Sequence, residues 1–349
     1  MKKTAEKFIF GVLVFCTGVL LLSPGAVAGK GRGPGDYDFL LGHGGLERTY
    51  RAHVPQSYDA QRPVPLVLAF HGGGGNIEAA SRYFRLDEKS DEEGFIVVYP
   101  QGTGKRIAGM LFGTWNAGRC CKPAMANNVD DVGFVRKMVA KLKKDFVIDE
   151  KRIYMTGFSN GGQMVFRLAC EMPGVFAAAA PAGSVGTFDN CTPRRPIPIF
   201  HFDGTADPCS PYEGGGECGG CFGKFFRSIG VPVKDINYYA CDPVPVYIEK
   251  WRKWNGCDDT PKVTMRQGDT TCITYSPCKG NVEVTSCVTK GGGHAWAGNV
   301  EYEAQACRSR PQGYICRQWK NAIGPLILDY DATDTIWEFF KKYALDEGK

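Results

Sequence analysis

A serine with glycine two residues to either side, Gly157-Phe158-Ser159-Asn160-Gly161, gives this chain its clearest means of covalent chemistry. The spacing is that of a nucleophile elbow, a sharp strand-to-helix turn that lifts a hydroxyl clear of a sheet. Glycine is required on both sides because side chains there would collide with the strand and helix packed against each other. A hydroxyl becomes a nucleophile only when a base takes its proton, and the base needs a carboxylate to orient it. Five histidines are available. His43 and His53 precede the first core strand, His71 opens a glycine loop, and His201 sits inside a strand-like run. His294, in Gly291-Gly292-Gly293-His294-Ala295-Trp296, follows a late strand-like run and is assigned as the base.

The acid should fall between serine and histidine, on a loop that ends a strand. Asp207, in Asp203-Gly204-Thr205-Ala206-Asp207-Pro208, meets that condition, with Asp203 the alternative nearer the strand end. Pro208 disfavours helix at Asp207. The order Ser159, Asp207, His294 is that of an α/β-hydrolase, not of the chymotrypsin or subtilisin arrangements. Attack on a carbonyl creates an oxyanion that needs preorganised backbone N–H donors. The loop His71-Gly72-Gly73-Gly74-Gly75-Asn76 is placed to supply one through Gly73, and the N–H of Asn160 a second. A phosphate-cradling loop would end in Gly-Lys-Ser/Thr, which does not follow here. Trp115 and Trp296 are candidate walls for an aromatic acyl group, with core packing as their other use.

The elements that must carry these residues alternate in type. Residues 65–70 and 95–99 are short continuous apolar runs, as expected of strands covered on both faces. Residues 131–146 carry an apolar stripe at Val132, Val135, Met138, Val139, Leu142 and Phe146, which predicts a helix capped by Asn128 or Asp130. The elbow follows, then strand-like runs at 176–181 and 197–202, and a closing amphipathic helix at 335–343. This alternation predicts an α/β fold, a mostly parallel central sheet flanked by helices. Residues 208–245 and 298–328, rich in Cys with Gly and Pro or aromatics, break the rhythm. They read as disulfide-stapled excursions that shape the entrance to a site or decorate the surface.

A chain of 349 residues with 43% hydrophobic content can bury a large core unaided. Lys2, Lys3 and Lys7, the apolar run 8–22 and Ala26-Val27-Ala28 together predict a secretory signal peptide at 1–28. Residues 29–349 then form a single catalytic domain, with no later run long enough to span a bilayer. The formal net charge of +5 falls to +3 without the leader, too slight and scattered for nucleic acid. A monomer is expected. Of fifteen cysteines, Cys16 leaves with the leader, and the even remainder predicts disulfides in an oxidising compartment. Zinc bound by Cys218 and Cys221 with Cys209 and Cys241 is the alternative for that cluster. If Lys279-Gly280 forms a hairpin loop, Cys272 faces Cys287, leaving Cys278 for Cys257. Cys307 and Cys316 should close a local loop.

With these pieces assembled, residues 46–343 resemble the esterases grouped with poly(3-hydroxybutyrate) depolymerases, including feruloyl and acetylxylan esterases. The likeness rests on His71-Gly72-Gly73-Gly74-Gly75-Asn76, Thr114-Trp115-Asn116, Cys120-Cys121, and Asn128-Val129-Asp130-Asp131-Val132-Gly133-Phe134. It continues in Gly157-Phe158-Ser159-Asn160-Gly161-Gly162, Gly204-Thr205-Ala206-Asp207 and Gly292-Gly293-His294-Ala295-Trp296. The resemblance implies a secreted α/β-hydrolase acting on ester bonds without cofactor or metal, with Ser159, Asp207 and His294 as its triad. The family often carries histidine where Asp203 stands. No polymer-adsorbing domain is recognisable, which directs the expectation toward soluble or plant-derived esters. The alternatives are a polyester depolymerase proper, a peptidase on the same scaffold, and a binding protein that retains a silent hydrolase fold.

Overall fold

Short β-branched and aromatic runs make up most of the central strands, and alternate residues in them point to opposite layers. The computed structural model describes residues 32–107, 110–188, 191–233, 238–300, 307 and 309–346; the expected signal peptide lies outside them. The chain opens with β1 (Gly35–His43), β2 (Leu46–Val54) and β3 (Val64–Phe70), then α1 (Ile77–Phe84), α2 (Leu86–Glu93) and β4 (Ile96–Pro100). A small hairpin, β5 (Thr103–Ile107) and β6 (Met110–Thr114), precedes α3 (Asp131–Asp145). The elbow joins β7 (Ile148–Phe158) to α4 (Asn160–Glu171), and β8 (Ala178–Ala182) and β9 (Ile199–Gly204) follow. Next come β10 (Gly215–Cys218), α5 (Cys221–Ser228), β11 (Tyr239–Cys241) and α6 (Val244–Asn255). The chain closes with β12 (Lys262–Gln267), β13 (Thr270–Tyr275), β14 (Val284–Thr289), α7 (Tyr314–Ile323) and α8 (Ala332–Phe340).

Ten strands form one sheet in the order β1-β2-β4-β3-β7-β8-β9-β14-β13-β12. The run from β4 to β14 is parallel, and an antiparallel pair closes each side. This is the α/β-hydrolase architecture. Leu66, Leu68 and Phe70 of β3 pack into one core layer with α3, α4 and α6, while Val67 and Ala69 face the other with α1 and α8. Being covered on both faces explains why these strands read as unbroken apolar runs. Asp130 caps α3, its side chain accepting from the Gly133 N–H at 2.8 Å. Asn128, the other candidate, lies before that turn with φ 45°.

Two features differ from expectation. The first sheet strands are β1 and β2, so His43 and His53 lie on the antiparallel margin instead of ahead of the sheet. Their alternating exposure, one wet face and one dry, left no continuous apolar run to read. The β5–β6 hairpin was also unforeseen. Disulfides join Cys272 to Cys287, Cys257 to Cys278, and Cys307 to Cys316, as the register and spacing predicted. Cys209 pairs with Cys221 and Cys218 with Cys241, so these sulfurs are not available as zinc ligands.

Candidate active site

The order in which successive strands join the sheet reverses between the parallel neighbours β3 and β7, the switch point beside which open α/β sheets bind ligands. Ser159 leaves the carboxyl end of β7 there with φ 57° and ψ −124°, a conformation costly for a residue with a Cβ. Its N–H is tied to the Ala182 carbonyl at 2.8 Å, and its own carbonyl accepts from Gln163 to start α4. The flanking glycines are sterically required. A Cβ on Gly161 would lie 2.0 Å from the Phe70 carbonyl oxygen, and one on Gly157 2.5 Å from that of Gly161.

The β9–β14 pairing brings the acid and base loops together, Gly204 lying opposite Thr289. His294 Nδ1–H donates to Asp207 Oδ2 at 2.6 Å, with both side chains buried. Asp207 Oδ1 accepts from the N–H groups of Cys209 (2.7 Å) and Ser210 (2.8 Å), so the carboxylate is held at both ends. The other imidazole nitrogen, Nε2, has no partner among the described residues. The ring packs on Phe158, the residue just before the serine, at 4.5 Å between centroids. Nε2 makes no hydrogen bond to the Ser159 hydroxyl in this arrangement; a buried imidazole oriented by a carboxylate is the kind of group that serves as a general base.

The glycine loop passes over the start of α4. A Cβ on Gly72 would touch the Ser159 Cβ at 3.4 Å, and one on Gly73 the Asn160 Cβ at 3.5 Å. The N–H groups of Gly73 and Asn160 have no acceptor among the described residues. The loop is braced from behind by His71, which accepts from the Gly102 N–H at 2.9 Å and donates to the Gly72 carbonyl at 2.7 Å. Burial pulls His71 down to about 4, so it is a neutral strut at ordinary pH.

Asp203 is elsewhere engaged. It is buried, 2.9 Å from His201 Nε2, and burial holds its carboxyl above the usual carboxylate range. Neither tryptophan lines the pocket, and both expectations are corrected. Trp115 is fully buried, its indole N–H donating to the His71 carbonyl at 2.9 Å. Its backbone also brackets Asn160, whose Oδ1 accepts from the Trp115 N–H at 2.7 Å and whose Nδ2 donates to the Trp115 carbonyl at 3.2 Å. Trp296 is buried against Phe84 and Phe202 and donates to Thr333. Aromatic residues near a motif carry no mark that separates a wall from a brace.

Ser159 opens instead into a pocket of about 390 Å³ walled by Phe112, Phe222 and Tyr239. Tyr239 holds the Gln163 side chain, and burial keeps its phenol protonated. Phe222 and Tyr239 come from the Cys-rich excursion, and only its composition signalled a role. Gln163, one turn past the serine, carried no signal of its own.

Residues 49–191 match the family model described as esterase PHB depolymerase. Feruloyl esterase B of Piromyces equi is 31% identical over 246 residues, covering 69% of this chain and 41% of that protein. The bifunctional acetylxylan esterase/xylanase XynS20E of Neocallimastix patriciarum is 31% identical over 169 residues, 48% of this chain and 23% of its own. The chain thus spans less than half the length of these two relatives. A putative esterase, NocK of Nocardia uniformis subsp. tsuyamanensis, is 27% identical over 271 residues, covering 73% of this chain and 72% of its own. Among solved structures, acetyl xylan esterase from Aspergillus awamori superposes with a TM-score of 0.50 at 15% identity, covering 74% of this chain and 94% of that one. That likeness is one of fold.

Proposed function

We propose that this chain, a member of the esterase PHB depolymerase family through residues 49–191, is a secreted serine esterase. It cleaves carboxylic esters through an acyl-enzyme on Ser159. The observation that carries this reading is the His294–Asp207 pair, 2.6 Å apart, whose remaining ring nitrogen is unpartnered beside the elbow. His294 Nε2 takes the proton as Ser159 Oγ bonds to the acyl carbon. The oxyanion is held by the N–H groups of Gly73 and Asn160. His294 then returns the proton to the departing alcohol oxygen, and the acyl–serine ester remains. Water enters, gives its proton to His294, and repeats the sequence to release the acid and restore Ser159. Feruloyl and acetyl esters of plant polysaccharides are the substrates that the relatives' names support.

The test is a turnover panel of ferulate, acetate and 3-hydroxybutyrate esters with matched amides, on wild type and Ser159→Ala. The variant should lose at least about 10³-fold on whichever ester is cleaved. A fluorophosphonate probe should label wild type alone. Near-normal turnover by the variant overturns the mechanism, and faster cleavage of the amides would make the enzyme a peptidase.

A further inference from the structure

We propose that the catalytic pocket continues into a second subsite that binds the glycan side of the substrate and selects a chain bearing carboxylates. This rests on the esterase reading and names its substrate class.

Beside the pocket lies a larger groove, about 980 Å³, between the β1–β2 turn, the base of the β5–β6 hairpin and the turn before α3. Lys105 and Pro123 line both cavities, so the two meet along that edge. Phe222, Tyr239 and the Cys209–Cys221 bridge wall the pocket but not the groove. An acyl group ends within a few atoms and suits the walled, apolar pocket. A polymeric alcohol must run on, and the groove is where it can.

The groove wall is mixed, with Arg48, Thr49, Gln101, Thr103, Asn127 and Asn128 interspersed among Leu46, Leu111, Pro123 and Val129. Sugar rings, with apolar faces and hydroxyls that both donate and accept, match such a mixed surface, whereas a polyester offers acceptors alone. Two of these groups have unmet capacity. Arg48 is 3% exposed, and its Nη2 donates to Asp131 Oδ1 (2.7 Å) and the Gln101 carbonyl (3.0 Å). Its Nη1 and the Thr103 hydroxyl have no partner among the described residues. Both atoms are shut off from solvent, so the hydroxyls of a bound chain meet instead the exposed amides of Asn127 and Asn128.

Charge points the same way. The pocket lining contains Lys105 and Lys122 and no carboxylate. Neither lysine has an ion-pair partner among the described residues. The groove holds two acidic residues, Glu47 and Asp130. Asp130 is spent on His43 at 2.8 Å and on capping α3. Lys105 at the junction and Lys122 on the pocket side of it outnumber the one remaining acid, Glu47, and a uronate carboxylate complements them.

The experiment places one acyl group on two oligosaccharides that differ only in a glucuronic acid branch, and compares kcat/KM on each. Wild type should favour the acidic ester by about 3- to 10-fold at low salt, the range that two rim charges support. The preference should lie in KM and fade toward unity at about 0.5 M salt, where screening is strong. In Lys105→Gln/Lys122→Gln the ratio of acidic to neutral ester should fall close to one. An equal rate on both esters in wild type, or an undiminished ratio in the double variant, overturns the proposal. Calorimetry of Ser159→Ala with the two free oligosaccharides reads the groove without chemistry. Preferential binding of the acidic one supports the subsite even if no ester is cleaved, and equal or absent binding overturns it.

Discussion

Trp115 shows how one side chain can brace a proposed catalytic site without touching the reacting atoms. Its indole N–H holds the carbonyl that begins the glycine loop, and its backbone clasps the residue after the nucleophile. Both proposed oxyanion donors therefore depend on one residue. Trp115→Phe keeps the ring against Phe70, now 5.3 Å away edge-on, and removes only the bond to His71. Deleting an oxyanion donor outright costs on the order of 10²–10³ in rate, so displacing one should cost about 10-fold in kcat. The loss should be alike on ferulate and acetate esters, with KM little changed. Affinity for phenylboronic acid, which forms a tetrahedral anion on serine, should weaken in proportion. A rise in KM confined to ferulate would instead return Trp115 to the acyl wall.

The elements impose a harder constraint than any single contact. At Gly161, α4 lies so close to β3 that an added methyl would meet two backbone oxygens, those of Phe70 and His71, at 2.0 and 2.6 Å. Backbone cannot swing aside as a flexible side chain can, so Gly161→Ala must push the helix off the sheet. Overpacking of this kind typically costs 1–3 kcal/mol. Thermal melting should show that loss, with activity falling further because Ser159 rides on the same turn. Gly174→Ala, with nothing within 4 Å of the new atom, is the control and should melt as wild type does. The elbow was legible because its glycines keep a fixed spacing around the serine, although one of them is demanded by the distant β3. The parallel strands were legible too, because burial on both faces leaves an apolar run. The β1–β2 margin was not, since one wet face breaks such a run. Residues Thr114 to Asn116 and 128–134 were recognisable as motifs but not as a brace. In the fold, the Asn116 N–H donates to Asp131 Oδ2 at 2.7 Å, and Asp131 also takes Arg48, a long-range arrangement that spacing does not encode.

At the scale of the whole molecule, a sheet that positions the proposed triad carries an excursion that walls the pocket, and disulfides serve the two differently. Cys272–Cys287 spans β13 and β14, strands already paired along six residues. Cys218–Cys241 ties β10 to β11, which pair at only two positions, and Tyr239 stands two residues from that bridge. The bridges close 15 and 23 residues of chain, so their effects on the unfolded state are similar, about 3 kcal/mol each. Their effects on the site should not be. Replacing both cysteines of either bridge by serine should lower the melting temperature comparably. Only Cys218→Ser/Cys241→Ser should also reduce kcat/KM, by about 10-fold, because the wall bearing Tyr239 loses its anchor and opens locally without unfolding the sheet. The measurement is kcat/KM at a temperature well below both transitions. If the two double variants lost activity equally, the excursion would be surface decoration, and the pocket wall would owe its position to the sheet alone.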